Sequence, residues 1–436
     1  MNNISVDTSA AHAGAQDRGL PLGSRLGLQT LLGASLAVLL LRLIYGMVML
    51  SISVIRPDNP LEERIGLLPN GAPLGDWLQR LLVSPWMRYD SINYQKIIDH
   101  GYRLDTGIAA FHPLYPLLSW PLAQVLGNAP LALLLISTVA TLGLCVLFAR
   151  YVAHVHSSEL ASPATWLLLI APPSFILLAP YNEALFLVFA VGALWSMHGR
   201  RWWIAGLLGG LAALTRQQGL ALAPPLLYLL LAELWAQLRL AQADGRPVAG
   251  LAAAGLLRTA LCVAMVPLGY GLYSVYRVFI LGDLPIGGTA NLATILHGLL
   301  VSPSAQFMVP GQRIAWPWEP LIDHVQLIIT SPRRIELYID LIFGWALVLA
   351  AIFGLPRMTI AERLYCVGIL ILSLCYYNGE RFPYLTLPRH MLIAFPLYVA
   401  LARWLVNPRL YLLAFNLCFV LNLCLAAIFG RRGWVP

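Results

Sequence analysis

The chain has 436 residues, 59% of them hydrophobic and 11% charged, with a formal net charge of +8 and a mean hydropathy of +0.73. A soluble domain carries about 25% charged residues, so this composition excludes a water-facing globular protein of that length. It also argues against a nucleic-acid partner, because Lys96 is the only lysine and the arginines stand mostly in short stretches between apolar runs, as in membrane proteins.

Residues 1–26 are polar and read as a disordered cytoplasmic tail, and residues 27–436 read as a single membrane domain. The first apolar run continues to about residue 55, too long for a cleaved signal peptide, and reads as a signal anchor. A membrane helix needs roughly 20 apolar residues. Runs at 29–55, 130–153, 161–179, 183–198, 202–217, 219–236, 255–281, 336–354, 362–378, 389–405 and 409–430 read as spans. The expected fold is therefore all-α and polytopic, with about 11 spans in a range of roughly 10 to 13.

Residues 111–127 are ambiguous, because Pro113, Pro116 and Pro121 interrupt the run. The segment either crosses with a kink or dips in and returns. With the N-terminus inside, a non-crossing segment leaves Arg150, Arg200, Arg201, Arg239, Arg246, Arg357, Arg363, Arg403 and Arg409 inside, as the positive-inside rule favours. Arg431 and Arg432 fall on the other side, against that rule. The long stretches 56–110 and 282–335 then become outer loops. Aromatics such as Trp77, Trp86, Tyr89, Tyr94 and Tyr102 suggest that the first is ordered at the membrane surface. Six cysteines lie in apolar stretches without a close pair, and read as buried thiols. No P-loop, dinucleotide fingerprint or zinc-protease pattern occurs, so neither a cofactor nor a metal is expected.

Five clusters stand out as candidate chemistry. In the first outer loop, residues 91–99 have the spacing of an interfacial amphipathic helix, with Asp90 at its start. An N-cap role accounts for Asp90 equally well. His112 and Tyr115 sit at the mouth of the proline segment, where aromatic-belt residues also occur. Tyr181, Asn182 and Glu183 separate two apolar runs. Glu183 suits a helix start by the dipole, yet it lies at the edge of hydrocarbon, where charge is costly. Arg216 and Gln217 belong to a polar break within nearly forty apolar residues, too short to reach bulk water comfortably. Arg216 reads as facing a polar cavity and needing an anionic partner. Arg389 and His390 open a late apolar run, where an anionic ligand would relieve the conflict between cation and helix dipole; Arg381 stands nearby. All five fall on one side in the preferred topology. Two carboxylates, three cations and two histidines suit an outward site for an anionic, phosphorylated substrate.

These motifs resemble the PIG-V-type mannosyltransferases, polytopic glycosyltransferases of the GT-C superfamily. The resemblance rests on Trp86, Asp90, Gly101 and Tyr102 in the first loop, then Phe111 to Pro116, Pro180 to Glu183, the stretch ending in Thr215 and Arg216, and the late Arg389-His390 run with Phe395-Pro396-Leu397. Three residues part Trp86 from Asp90, where the family often sets the two side by side. Asn182 stands for the more usual threonine and His112 for the more usual phenylalanine. The resemblance implies a GT-C-like fold with interfacial helices in the first outer loop. It implies a polyprenyl-phosphate-linked sugar donor, most often mannose, and a glycan, lipid or protein acceptor. Asp90 would be the general base of an inverting transfer. Arg216, Arg389 and His390 would stabilise the leaving phosphate, while Glu183 and His112 orient the donor sugar or acceptor. The Arg bias and the layout look bacterial, which would place the protein in a plasma membrane with its site outward. A transporter or lipid-linked sugar flippase is the rival reading. A structural membrane protein is a third, but it would have no need for these charges to converge.

Overall fold

The computed structural model describes residues 25–55, 82–284, 302–307, 310–384 and 386–431, together with Leu292, Ile295, Gly298 and Leu299. Nearly all of the expected tail, about half of the first outer loop and part of the second lie outside the described residues.

Apolar runs become helices because every backbone polar group must be satisfied away from water. Helix α1 (Arg25–Ile55) leads to the first described part of the outer loop, where α2 (Asp90–His100) lies. The proline segment forms α3 (Leu114–Leu126). Its 13 residues span about 20 Å, short of a bilayer's hydrocarbon core. Helix α4 (Ala129–Val155) starts where the Asn128 side chain accepts from Leu131 N at 3.0 Å. Next come α5 (Ser158–Ile170), α6 (Glu183–His198), α7 (Trp202–Thr215), α8 (Ala223–Ala243) and α9 (Ala249–Val275). The last third holds strand β1 (Gln312–Ile314), then α10 (Trp318–Thr330), α11 (Ile335–Arg357, with a π turn at Asp340–Gly344) and α12 (Ile360–Leu374). Strand β2 (Tyr376–Asn378), α13 (Leu387–Leu392), α14 (Pro396–Trp404) and α15 (Pro408–Gly430) complete it.

Six described helices are long and apolar enough to cross a membrane: Leu32–Ile52, Ala129–Val155, Gln217–Ala243, Ala249–Ile280, Ile335–Arg357 and Pro408–Gly430. The protein is thus an integral, multi-pass membrane protein. Helices α6 and α7 are apolar but shorter. The expectation of about 11 spans treated each apolar run as one helix. Proline divides several of those runs. Helix α5 stops before Pro172 and Pro173, and Pro396 parts α13 from α14. The run at 362–378 ends as β2, which pairs antiparallel with β1, Gln312 opposite Asn378. This small sheet is a departure from an all-helical chain.

Helix α6 is the centre of the bundle: Ala184, Phe186, Leu187, Ala190, Val191, Ala193 and Leu194 are all inaccessible. A helix apolar all round belongs in a core. Helix α7 packs between α6 and α9. At its crossing with α9, a Cβ on Gly206 would lie 2.5 Å from the Cys262 carbonyl oxygen, and one on Gly269 would collide with the Gly210 carbonyl. Small residues allow such close approach in membranes. Gly269→Val is therefore expected to destabilise the bundle by about 1–3 kcal/mol or more through overpacking. The thermal unfolding midpoint in detergent checks this, with Gly271→Val, where nothing lies within 4 Å, as the neutral control.

Helix α10 is amphipathic. It turns Trp318, Ile322, Val325 and Ile329 outward while His324 is buried. Tyr377 donates to Asp323 at 2.8 Å and Tyr384 to the Pro317 carbonyl at 2.9 Å, so α10 and β1 are fastened to the stretch that follows α12.

Candidate functional site

A cavity of about 230 Å³ opens where α2, the start of α3, the 181–183 turn, the 216–218 turn, both strands and α13 meet. It is lined by Asp90, His112, Tyr181, Asn182, Arg216, Gln217, Arg389 and His390, eight of the ten residues singled out from sequence. Tyr89, Tyr94, Phe111, Gln218, Gln312, Tyr376, Asn378 and Thr386 complete the polar and aromatic lining.

Charge organises it. Glu183 is fully buried and accepts hydrogen bonds from both Arg216 Nη1 and Arg389 Nε. Arg389 Nη1 also donates to Asp90 Oδ2 at 2.5 Å, and its guanidinium lies 4.5 Å from the centre of the Tyr181 ring. Arg216 Nη1 donates to Asn182 Oδ1 at 2.8 Å as well, and the Asn182 amide donates to the Thr215 carbonyl at 2.8 Å. Two carboxylates and two guanidiniums thus alternate around one wall. Each charge is paired, as burial requires.

Local sequence explains each placement. Tyr89 takes a positive φ of 50° and is itself the N-cap of α2. Asp90 is left in the first turn with its side chain directed at Arg389 instead of capping the helix. The N-cap reading of Asp90 is therefore corrected. Arg216 follows α7 in an extended conformation, φ −155° and ψ 145°, which turns its side chain inward toward Glu183. Arg389 and His390 fall in the last turn of the six-residue α13. They do not open a long helix, so the dipole conflict read from sequence is absent.

Three residues depart from expectation: Glu183 and Tyr115 of the ten, and Arg381 beside them. Glu183 is fully buried behind its two arginines and is not part of the cavity lining. Tyr115 does not line the cavity. Its hydroxyl donates to the Leu133 carbonyl at 2.8 Å and meets Ser137 Oγ at 2.7 Å, fastening α3 to α4. Arg381 is exposed, outside the cavity, with its guanidinium 5.6 Å from the Phe382 ring centre. Sequence reading also missed Arg42, inside the first span. It donates to Thr138 Oγ1 at 2.7 Å and the Leu178 carbonyl at 2.8 Å, and lies 5.2 Å from the Trp86 ring centre. A charge so deep in an apolar run was itself the signal.

Burial, reinforced by Asp90, keeps the phenols of Tyr94 and Tyr181 well above their usual range, as neutral donors. His112 packs 5.5 Å from Tyr270 and 5.7 Å from Tyr273, ring centre to ring centre. Burial, then the positive Arg277 and Arg216, lowers its pKa from 6.5 to about 3. The unfolded chain therefore binds a proton below about 6.5 that the folded chain refuses until about 3, so this group's stability is present above 6.5 and declines as pH falls through that window. His112→Phe is expected to flatten the loss of thermal stability between pH 6.5 and 4, read from melting curves at each pH. An unchanged acid limb would show that His112 is not the group responsible.

The sequence pattern of the family described as Mannosyltransferase (PIG-V) matches residues 38–285. GPI alpha-1,6-mannosyltransferase 2 of Rattus norvegicus is 31% identical over 167 residues, which are 35% of this chain and 33% of that protein. The Mus musculus protein of the same name is 32% identical over a stretch of the same size. The match thus spans about a third of the length of these relatives. Among solved structures, ArnT from Cupriavidus metallidurans bound to undecaprenyl phosphate aligns at 12% identity and a TM-score of 0.36, over 74% of this chain and 56% of that one. The Archaeoglobus fulgidus oligosaccharyltransferase tethered to an acceptor peptide aligns at 13% identity and a TM-score of 0.40, over 95% and 56%. The family pattern takes in more than half of the 436 residues, including Asp90, His112, Glu183 and Arg216, and the chain belongs to the PIG-V mannosyltransferase family.

Proposed function

We infer that this protein transfers a sugar, most often mannose, from a polyprenyl-phosphate donor to an acceptor hydroxyl at the outer face of the membrane, with inversion at the sugar. The observation that carries the reading is the shared Arg389. One guanidinium holds the candidate base, Asp90, and the buried Glu183, in a cavity that Arg216 also lines.

The acceptor oxygen attacks the sugar C1 as Asp90 takes the hydroxyl proton. The bond from C1 to the phosphate oxygen breaks, and its electron pair leaves with the lipid phosphate. Negative charge develops on that oxygen, where Arg389 and Arg216 are placed to meet it. Arg389 uses Nε and Nη1 for the two carboxylates, which leaves Nη2 over for an incoming oxyanion. A donor phosphate also competes with Asp90 for Arg389. Donor binding then frees the Asp90 oxygen that Arg389 holds, so that it can turn to the acceptor hydroxyl. His112, Gln217, Asn182 and His390 line the rest of the cavity and orient donor sugar and acceptor. The apolar faces of the spans accommodate the polyprenyl tail.

The test is transfer in proteoliposomes, with labelled polyprenyl-phosphate mannose and a panel of glycan, lipid and peptide acceptors. Label in any acceptor, with inverted anomeric configuration, supports the reading. Movement of the intact donor between leaflets without transfer would instead support a flippase.

A further inference from the structure

One buried carboxyl plays no part in this chemistry. Asp340 lies in the apolar helix α11, 1% exposed, at the start of its π turn. Neither oxygen has a hydrogen-bond partner, and no basic residue pairs with it, among the described residues. An acidic residue inside a span is costly and tends to be retained for a purpose. π turns recur at functional sites.

Its surroundings indicate the purpose. The carboxyl faces the backbone of Thr386 and Leu387. Thr386 is one of the described non-glycine residues with a positive φ, at 64°, and its side chain does not cap α13. A left-handed threonine is strained and persists only when its surroundings hold it. One turn along α11, a Cβ on Gly344 would come within 2.8 Å of Leu387 Cδ2, so both positions of this helix face press on the same turn. Three residues beyond Thr386 stands Arg389, and the His390 amide donates to the Thr386 carbonyl at 3.1 Å.

We propose that Asp340 is a positioning residue: its buried polar side chain, set against the left-handed Thr386 turn, keeps that turn seated on α11 and so sets where Arg389 stands between Asp90 and Glu183. The positional part stands alone. Its effect on turnover rests on the transferase reading.

Two readouts on full-length protein in nanodiscs separate these parts. Asp340→Ala is expected to speed amide hydrogen exchange in a peptide covering residues 384–392 about tenfold, with peptides from α6 unchanged. Asp340→Asn, which keeps an acceptor at the same place, is expected to exchange like wild type. In the transfer assay Asp340→Ala is expected to raise the KM for the polyprenyl-phosphate donor roughly tenfold with a smaller change in kcat, and Asp340→Asn to stay within about twofold. Unchanged exchange in Asp340→Ala, faster exchange throughout the protein, or an Asn variant as damaged as the Ala variant would overturn the proposal. A localised exchange signature in a protein that transfers no sugar would uphold the positional role and reject the transferase reading. If Asp340→Ala is not recovered folded, Gly344→Ala displaces Leu387 from the same helix. It must then give the same localised signature, and its absence overturns the proposal.

Discussion

Replacing Asp90 by Asn is expected to lower the rate of sugar transfer by about 10²–10⁴-fold, the usual worth of a positioned general base. The substitution removes one negative charge and one proton acceptor while keeping the shape. Arg389 retains Glu183 as a counter-ion, so the protein should fold and still bind the donor. The effect should therefore fall on kcat, with the donor KM unchanged or lower, because Arg389 no longer has to leave Asp90 for the phosphate. A variant with a near-normal kcat would remove Asp90 from the mechanism and leave the ion pair as structure.

Glu183→Gln should act differently, on folding before chemistry. Glu183 is the only acidic partner of Arg216 among the described residues, and it shares Arg389 with Asp90. Both guanidiniums are less than a tenth exposed. Removing one partner of a buried pair leaves an uncompensated charge, which costs about 3–5 kcal/mol. A marked fall in the thermal midpoint is expected, with lower yield of folded protein. Adding Arg216→Gln to Glu183→Gln should recover a good part of the loss, since Arg389 still has Asp90. A single variant as stable as wild type, or a double variant worse than the single, would contradict the pairing described.

Which parts of this were legible in the sequence follows from how locally each is encoded. Glu183 and Arg216 each interrupt an apolar context, so their cost marks them before any contact is known, while Asp90 stood out at the start of an amphipathic stretch. Arg389 was visible as a cation expected to oppose a helix dipole, although the helix around it proved only six residues long. Tyr115 was misplaced because a tyrosine at a segment's mouth looks the same whether its hydroxyl faces a cavity or the next helix. Gln312, Tyr376 and Asn378 were invisible. They reach the cavity wall through a two-stranded pairing between residues more than sixty apart, which no local pattern announces. Span boundaries were read from apolar length, while Pro172, Pro173 and Pro396 decide where helices actually stop.

The wide sequence separation of the site charges bears on how the protein is made. Glu183 and Arg389 are 206 positions apart. In a chain synthesised from its N-terminus, Asp90, Glu183 and Arg216 are all made before Arg389. At that stage the site counts two carboxylates and one guanidinium, an excess negative charge that a membrane interior opposes. The late arrival of Arg389 neutralises it. The attraction of Arg389 to the two carboxylates would favour docking of α13, so that the charge of the cavity is balanced only as the last part of the chain packs.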